Sequence, residues 1–185
     1  MTPSLKSLLI YAIVTAPGTA FADWSGGYVG LGVGTATDSE VAPGSNTESF
    51  ELEGDEAFSM FGGYQVQYGN YVFGGEITFS RADNFGNENL DRINLEPLDF
   101  KGRAGYAINN FMLYGAAGPT KLDATFSGLP LAFTGINFGV GADYKFTQQF
   151  LIGAEYIARR TSGKFEGEEV EINLDTVTLR AAYKF

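Results

Sequence analysis

The last ten residues of the chain alternate between apolar and polar side chains with a period of two. They read Thr-Val-Thr-Leu-Arg-Ala-Ala-Tyr-Lys-Phe. Successive side chains of a strand point to opposite faces, so one face of this segment carries Val177, Leu179, Ala181, Tyr183 and Phe185. The opposite face carries two cations. A strand of about ten residues, apolar on one face and polar on the other, can cross a bilayer as part of a β-barrel.

The same alternation recurs upstream and predicts seven further strands. They cover residues 27–34, 57–67, 71–80, 98–108, 111–118, 132–146 and 150–159, and the final strand covers 176–185. The pattern is clearest over 132–146, where large apolar residues face glycine, Asn137, Asp143 and Lys145. The facing of 111–118 stays open, because both of its faces are small or apolar.

The connections between these strands alternate strictly between short and long. Residues 68–70, 109–110 and 147–149 are predicted tight turns, and 35–56, 81–96, 119–131 and 161–173 are predicted long loops. This rhythm is typical of an all-β, eight-stranded antiparallel up-and-down transmembrane β-barrel, with short turns in the periplasm and long loops outside the cell. Both termini are then expected in the periplasm.

The first 22 residues are predicted to be a secretory signal peptide. Lys6 is the only charge before Asp23, the apolar run is about nine residues, and Ala20-Phe21-Ala22 is a small-x-small cleavage site. Residues 23–185 then form one barrel domain.

Composition narrows the possible functions. Gly (25 of 185 residues) and aromatic residues (15%) are both abundant, which suits closely packed strands with aromatic girdles. Cys is absent, so no disulfide is available. A net charge of −10 speaks against nucleic acid as a partner.

The chain resembles the small OmpA-like and OmpX-type outer-membrane barrels, a group also called the porin family or outer membrane protein beta-barrel domain. The resemblance lies in residues 23–30 (Asp-Trp-Ser-Gly-Gly-Tyr-Val-Gly), 62–65, 74–76, 139–144 and the Phe-ending last strand. It implies residence in the outer membrane of Gram-negative bacteria, surrounded by outer-membrane lipid. By the same resemblance, Val177, Leu179, Ala181, Tyr183 and Phe185 form the C-terminal signal that the barrel-assembly machinery reads.

Several charged residues fall on inward-facing positions of the predicted strands. They are Glu76, Lys101, Arg103, Asp143, Lys145, Glu155, Arg159, Arg180 and Lys184. An eight-stranded barrel is only wide enough to hold its own side chains, and an unpaired buried charge costs several kcal/mol. We therefore expect these charges to pair across the lumen. The network is interpreted either as a locked polar plug or as a gated ion path that opens when the pairs rearrange.

The predicted loops differ in character. The first is acidic without Lys or Arg, through Asp38, Glu40, Glu48, Glu51, Glu53, Asp55 and Glu56, and the fourth places Glu166, Glu168, Glu169 and Glu171 around Lys164. They are interpreted either as solvated loops or as divalent-cation sites, and no calcium-loop spacing is present. Apolar residues of the third loop form either an exposed patch for a partner or a continuation of the strands; they are Leu122, Phe126, Leu129 and Leu131.

Aromatic residues near the short turns are predicted to form the periplasmic girdle at the membrane surface. They are Trp24, Tyr68, Tyr71, Phe111, Phe150 and Phe185.

The sequence does not predict an enzyme, a cofactor site or a metal site. Enzymes on similar barrels depend on a catalytic histidine, and this chain has no histidine. Three hypotheses remain: a monomeric structural or surface-interaction barrel whose loops meet an extracellular ligand, a narrow channel for small solutes or ions, and a soluble ligand-binding barrel. The third would require an apolar inner face, which is the reverse of the predicted pattern.

Overall fold

The computed structural model describes residues 23–43, 50–51, 57–85, 93–126, 129–165 and 168–185. The predicted signal peptide, residues 1–22, lies outside the described residues. Within the described ranges the chain forms strands and turns, and no helix there is long and apolar enough to cross a membrane.

The described strands form a single closed antiparallel sheet. They are β1 (Gly26–Pro43), β2 (Phe50–Glu51), β3 (Ala57–Tyr68), β4 (Tyr71–Phe85), β5 (Ile93–Ile108), β6 (Phe111–Phe126), β7 (Leu129–Lys145), β8 (Phe150–Phe165) and β9 (Glu168–Lys184). Each long strand pairs with the next in sequence, and β1 also pairs with β9. The two-residue β2 lies against β1 at Glu40 and Val41. The eight long strands therefore form the predicted up-and-down barrel, and the fold class is confirmed.

The three short connections lie where the sequence predicts them. Two-residue turns at 69–70 and 109–110 join β3 to β4 and β5 to β6, and residues 146–149 join β7 to β8. Gly69 and Asn109 adopt left-handed backbone angles, with φ of 60° and 53°. Glycine and asparagine are the residues that tolerate this conformation best in tight hairpins.

The strands are longer than predicted, and most residues assigned to the four long loops belong to them. Strand β1 continues to Pro43, β4 to Phe85 and β8 to Phe165, while β7 already begins at Leu129. The prediction of long loops at 35–56, 81–96, 119–131 and 161–173 was therefore wrong in extent. The period-two alternation continues into these segments. There, however, the apolar side chains point into the barrel and the polar side chains point outward.

This reversal divides the barrel wall into two zones. On β9 the outward residues Leu179 and Tyr183 are 63% and 46% exposed, whereas Ile172 and Leu174 point inward and are buried. On β6 the outward row likewise changes from apolar residues to Lys121. The apolar outer zone is about ten residues long on each strand from β4 to β9, which is the length of a membrane-crossing strand. We call this zone the belt and the part beyond it, away from the short turns, the upper barrel.

Candidate functional site

The inward face of the belt is filled with charged side chains. Glu76, Lys101, Arg103, Asp143, Glu155 and Arg180 are each at most 7% exposed, and they come from five strands. Strand pleating explains the arrangement, because residues two apart on one strand share a face, and so do residues paired across neighbouring strands, such as Glu76 and Lys101. Three anions and three cations therefore meet in a space closed to solvent. We call these six residues the ionic cluster.

Glu76 is the centre of the ionic cluster. Its carboxylate lies 2.7 Å from Lys101 Nζ, 2.9 Å from Arg103 Nη1 and 2.5 Å from Arg180 Nη2. Thr78 Oγ1 donates a further hydrogen bond to it over 3.1 Å. One carboxylate thus holds three cations from two strands.

Glu155 and Asp143, the other two anions of the ionic cluster, pair with the same three cations. Lys101 Nζ lies 2.7 Å from Glu155 Oε1, and Arg180 Nη1 lies 2.8 Å from Glu155 Oε2. Arg103 Nη2 lies 2.7 Å from Asp143 Oδ2. Each charge therefore has a partner of opposite sign within hydrogen-bonding distance, which is the condition under which buried ions are tolerated.

Two tyrosines connect the ionic cluster to the bore wall. Tyr28 Oη donates to Glu76 and accepts from Arg103 Nη1, over 2.9 and 2.6 Å. Tyr114 Oη donates to Glu155 over 3.0 Å, and the Arg103 guanidinium lies 3.8 Å from the centre of the Tyr114 ring. The rings occupy space around the ions, and the two hydroxyls add hydrogen bonds to Glu76, Arg103 and Glu155.

A second ion pair lies nearer the upper barrel. Arg159 donates to both oxygens of Asp99, with Nη2 at 2.6 Å and Nε at 3.1 Å. Thr120 Oγ1 donates to Asp99 over 2.6 Å, and Arg159 Nη1 donates to Thr176 Oγ1 over 3.0 Å. This fork-to-fork geometry is the strongest arrangement for an arginine and a carboxylate.

Lys145 lies at the turn end of the bore, apart from the ionic cluster. Its Nζ donates to the main-chain oxygen of Asp23 over 3.2 Å and lies 4.6 Å from the centre of the Trp24 ring. Lys184 is only half-buried near the same end. Of the nine predicted inward charges, six form the ionic cluster, Arg159 pairs with Asp99, and these two lysines lie at the mouth.

Trp24 lies inside the barrel, so its assignment to the lipid-facing girdle was wrong. The residue is 0% exposed, its main-chain N–H donates to Gln67 Oε1 over 2.8 Å, and Gln65 Nε2 donates to its carbonyl over 2.8 Å. The alternation that places aromatics on the lipid face does not apply to residues 23–25, which precede β1. The other predicted girdle residues, Tyr68, Tyr71, Phe111, Phe150 and Phe185, are exposed at the turn end.

Inward glycines make room for the large side chains of the bore. A Cβ added at Gly63 would lie 2.6 Å from Tyr28 Oη, and one at Gly141 would collide with the Tyr114 ring. At Gly30 it would collide with Phe61. The glycine content is therefore partly explained by ring-over-glycine contacts between adjacent strands.

The bore of the upper barrel is closed by apolar side chains. Leu95, Leu122, Ala124, Phe133, Ile172 and Leu174 form one buried cluster there. Leu122 is 0% exposed, so of the two interpretations of the third loop the continuation of the strands is confirmed. Phe126 and Leu129 lie on β6 and β7, but their side chains are outside the described part.

The bore retains little empty space around the ionic cluster. A cavity of about 10 Å³ lies among Tyr28, Phe61, Asp143 and Arg180. That volume holds roughly one water molecule. Three buried side-chain atoms of the described residues, Ser59 Oγ, Arg103 Nε and Asn137 Oδ1, have no hydrogen-bond partner within the protein, and a water would satisfy such a group.

The acidic segments lie at the upper end of the barrel. Asp38 and Glu40 fall on β1, Glu51 on β2, and Glu168, Glu169 and Glu171 on β9. Glu48, Glu53, Asp55, Glu56 and Glu166 lie outside the described residues. Within the described ranges, no group of three acidic, His or Cys side chains is placed to hold a metal ion.

The C-terminal residues Val177, Leu179, Ala181, Tyr183 and Phe185 share the outward face of β9 and the residue beyond it. Phe185 closes the seam with β1, because its N–H donates to the Gly27 carbonyl over 2.9 Å. A Cβ at Gly27 would lie 2.6 Å from the Phe185 ring. A larger residue at position 27 would therefore have to displace the Phe185 ring.

Sequence reasoning omitted three participants of the bore. Asp99 lies two residues before Lys101 on β5 and therefore points inward, as Lys101 and Arg103 do. The alternation alone was sufficient to predict this. Tyr28 faces inward among the glycines of β1, and Tyr114 lies on the strand whose facing was left open. Only the pairing of β6 with β5 and β7 settles which side Tyr114 occupies.

Comparison with solved structures finds the same fold in small outer-membrane barrels. Neisserial surface protein A superposes with a TM-score of 0.59 at 15% identity, over 86% of this chain and 97% of that one. OprG from Pseudomonas aeruginosa gives 0.55 at 12% identity, over 87% and 96%. Ail, the attachment invasion locus protein of Yersinia pestis, gives 0.51 at 20% identity, over 86% and 99%.

At the level of sequence, no curated protein matches the chain significantly. A family model, described as outer membrane protein beta-barrel domain, matches residues 7–185. That span includes all eight long strands and both ends of the bore. The chain therefore belongs to the outer membrane protein beta-barrel domain family, whose place is the outer membrane of Gram-negative bacteria.

Proposed function

We propose that this protein is a structural and surface-interaction barrel whose bore is permanently plugged. The single observation that carries the proposal is the filling of the bore along its length. Trp24 occupies the turn end, the ionic cluster follows, then the pair of Arg159 and Asp99, and finally the apolar cluster of the upper barrel.

Energetics favour a fixed plug over a gate. Removing one partner from a buried ion pair costs about 3–5 kcal/mol, because the other charge remains uncompensated. Opening an ion path would have to break contacts of Glu76 to three cations and displace Leu122 and Phe133 in the upper barrel. Rearranging the ions alone would leave the apolar layer closed.

The proposed orientation places both termini and the three short turns in the periplasm. The upper barrel has polar residues outside and apolar residues inside, which suits water and not hydrocarbon. It therefore projects from the cell surface. The acidic segments at its end then meet the extracellular medium, where they would contact a ligand or another surface.

We propose that the protein is monomeric and is inserted by the barrel-assembly machinery through its last strand. The outward face of β9 and its terminal Phe185 have the pattern of the outer-membrane signal. No catalytic, cofactor or metal role is assigned, because the buried acids are each matched by cations and the chain has no histidine or cysteine.

Planar-bilayer recording of the refolded protein tests the proposal. The expected result for wild type is an absence of stable conductance steps, and Glu76→Gln is expected to lower stability without producing a steady open pore. Reproducible channels in wild type whose selectivity changes in Glu76→Gln would support the alternative, a narrow channel for ions or small solutes.

A further inference from the structure

The outer surface of the barrel carries cations at the upper border of the belt. Arg81 on β4, Lys121 on β6 and Arg160 on β8 each occupy the first outward-facing position beyond the last apolar belt residue of their strand. β4, β6 and β8 are every second strand around the barrel wall. Long cationic side chains at the edge of a hydrocarbon layer are at the level of lipid headgroups.

Lys121 and Arg160 lie on either side of β7. Lys121 is opposite Thr134, and Arg160 is opposite Ile136, in the pairing of β7 with its two neighbours. Two strand spacings and an offset of two residues along β7 separate their backbones by roughly 12 Å, and both side chains are long enough to reach over the strand between them. Their side chains are 50% and 41% exposed, so both are accessible from the membrane surface.

An apolar depression lies directly below these cations. Two adjoining grooves, of about 620 and 690 Å³, run down the outer face of β5, β6 and β7. Small residues form the floor, and larger ones border it; the floor includes Ala104, Gly115 and Ala117, and the borders include Phe73, Phe138 and Val140. Extended hydrocarbon chains fit such a floor because small side chains let them approach the backbone.

Lys121 and Arg160 are each paired with an acid. Lys121 Nζ lies 2.7 Å from Asp123 Oδ2, and Arg160 is paired with Asp175. The Arg160 guanidinium also lies 5.8 Å from the centre of the Phe138 ring, at the top of the depression. Asp175 is largely covered, with its side chain 11% exposed, whereas Asp123 is half-exposed. The exposed pair is therefore the one that a ligand phosphate can compete for, since exposed ion pairs contribute little.

Resting on the orientation proposed above, we propose that this face, from β5 to β8, binds a phosphorylated, acylated lipid of the outer leaflet. Lys121 and Arg160 contact the phosphate, and the acyl chains occupy the depression below. Cations at one end of an apolar groove match an amphiphile with an anionic head. A soluble phosphate would gain nothing from the groove.

Lipid retention by the refolded barrel tests the site. The purified protein in neutral detergent is titrated with diphosphoryl lipid A or with phosphatidylcholine, and the bound lipid is counted by native mass spectrometry. We expect lipid A to bind with a stoichiometry of one at this site, and Lys121→Gln to weaken it about tenfold, the loss of one charge-assisted contact. Arg160→Lys keeps the charge and should change binding less than Lys121→Gln.

The matched control changes the neighbouring acid. Asp123→Asn removes the competitor of the phosphate and should tighten lipid A binding by about threefold, the reverse of Lys121→Gln. Equal retention of lipid A by wild type and both variants would overturn the proposal. So would equal binding of phosphatidylcholine and lipid A. Neither result bears on the plugged bore, which conductance tests separately.

Discussion

Arg180 and Glu76 are 104 positions apart in the chain, yet their side chains meet across the bore, with Arg180 Nη2 2.5 Å from Glu76 Oε2. Arg180 lies on β9 and Glu76 on β4, and two other strands separate them along the wall. The contact can form only when the barrel has closed. It therefore links the first half of the chain to the last strand and depends on the whole fold.

Replacing Arg180 by Met should destabilise the barrel by about 3–5 kcal/mol, because Glu76 and Glu155 each lose a cation in a buried site. The double variant Arg180→Met with Glu76→Gln should lose clearly less than the sum of the single variants, since the two side chains interact directly. Urea unfolding in lipid vesicles, followed by gel mobility, measures each value.

The surface variant Lys121→Gln is the control for this comparison, and its stability should stay within about 0.5 kcal/mol of wild type. If the double variant loses as much unfolding free energy as the two single variants together, the direct contact between Arg180 and Glu76 is contradicted.

A methyl group at Gly141 should also be costly. The Tyr114 ring lies over this glycine, so Gly141→Ala must displace the ring and its hydrogen bond to Glu155, at about 1–3 kcal/mol. Gly75→Ala is the matched control, because the nearest atom to its added methyl group is Lys101 O at 3.9 Å. If the two alanine variants unfold at the same urea concentration, the ring-over-glycine contact has no energetic role.

Trp24 offers a spectroscopic test of the turn end, because it is the only tryptophan in the chain. Its ring is buried under Lys145, so its fluorescence should resist quenching by iodide in the folded barrel and become quenchable on unfolding. Trp24→Ala should cost about 3–5 kcal/mol, while Trp24→Phe should cost less. Quenching in the folded state as strong as that of free tryptophan would place the ring outside the bore.

The alternation of side chains was sufficient to predict the number of strands, the antiparallel order and the inward facing of residues such as Glu76 and Arg180. It failed where the rule changes. On the N-terminal side of Val177 in β9 the outward residues become polar, and Ile172 and Leu174 point inward. A pattern read only for apolar outward residues therefore ends too early. Trp24 was assigned to the wrong side because it precedes β1, and the alternation of side chains between the two faces holds only within a strand.

Which inward side chains pair with each other depends on more than the face of the strand that carries them. Arg159 pairs with Asp99, and Lys145 lies over Trp24, because the tilt and stagger of the strands set the height of each residue. A sequence pattern specifies the face of a strand but not this stagger. Pairing between β5 and β8, which are not neighbours, therefore needed the three-dimensional structure.

Accessibility of the bore to water tests the central claim most directly. The chain has no cysteine, so a single Cys can be introduced at Ala116, an inward position paired with Arg103, or at Thr134 on the outer surface. Each variant is refolded into vesicles and treated with a membrane-impermeant maleimide. We predict that Thr134→Cys reacts readily and that Ala116→Cys stays unmodified until the barrel unfolds. Equal labelling of both positions in the folded protein would mean that water passes through the bore, and would contradict the plugged barrel.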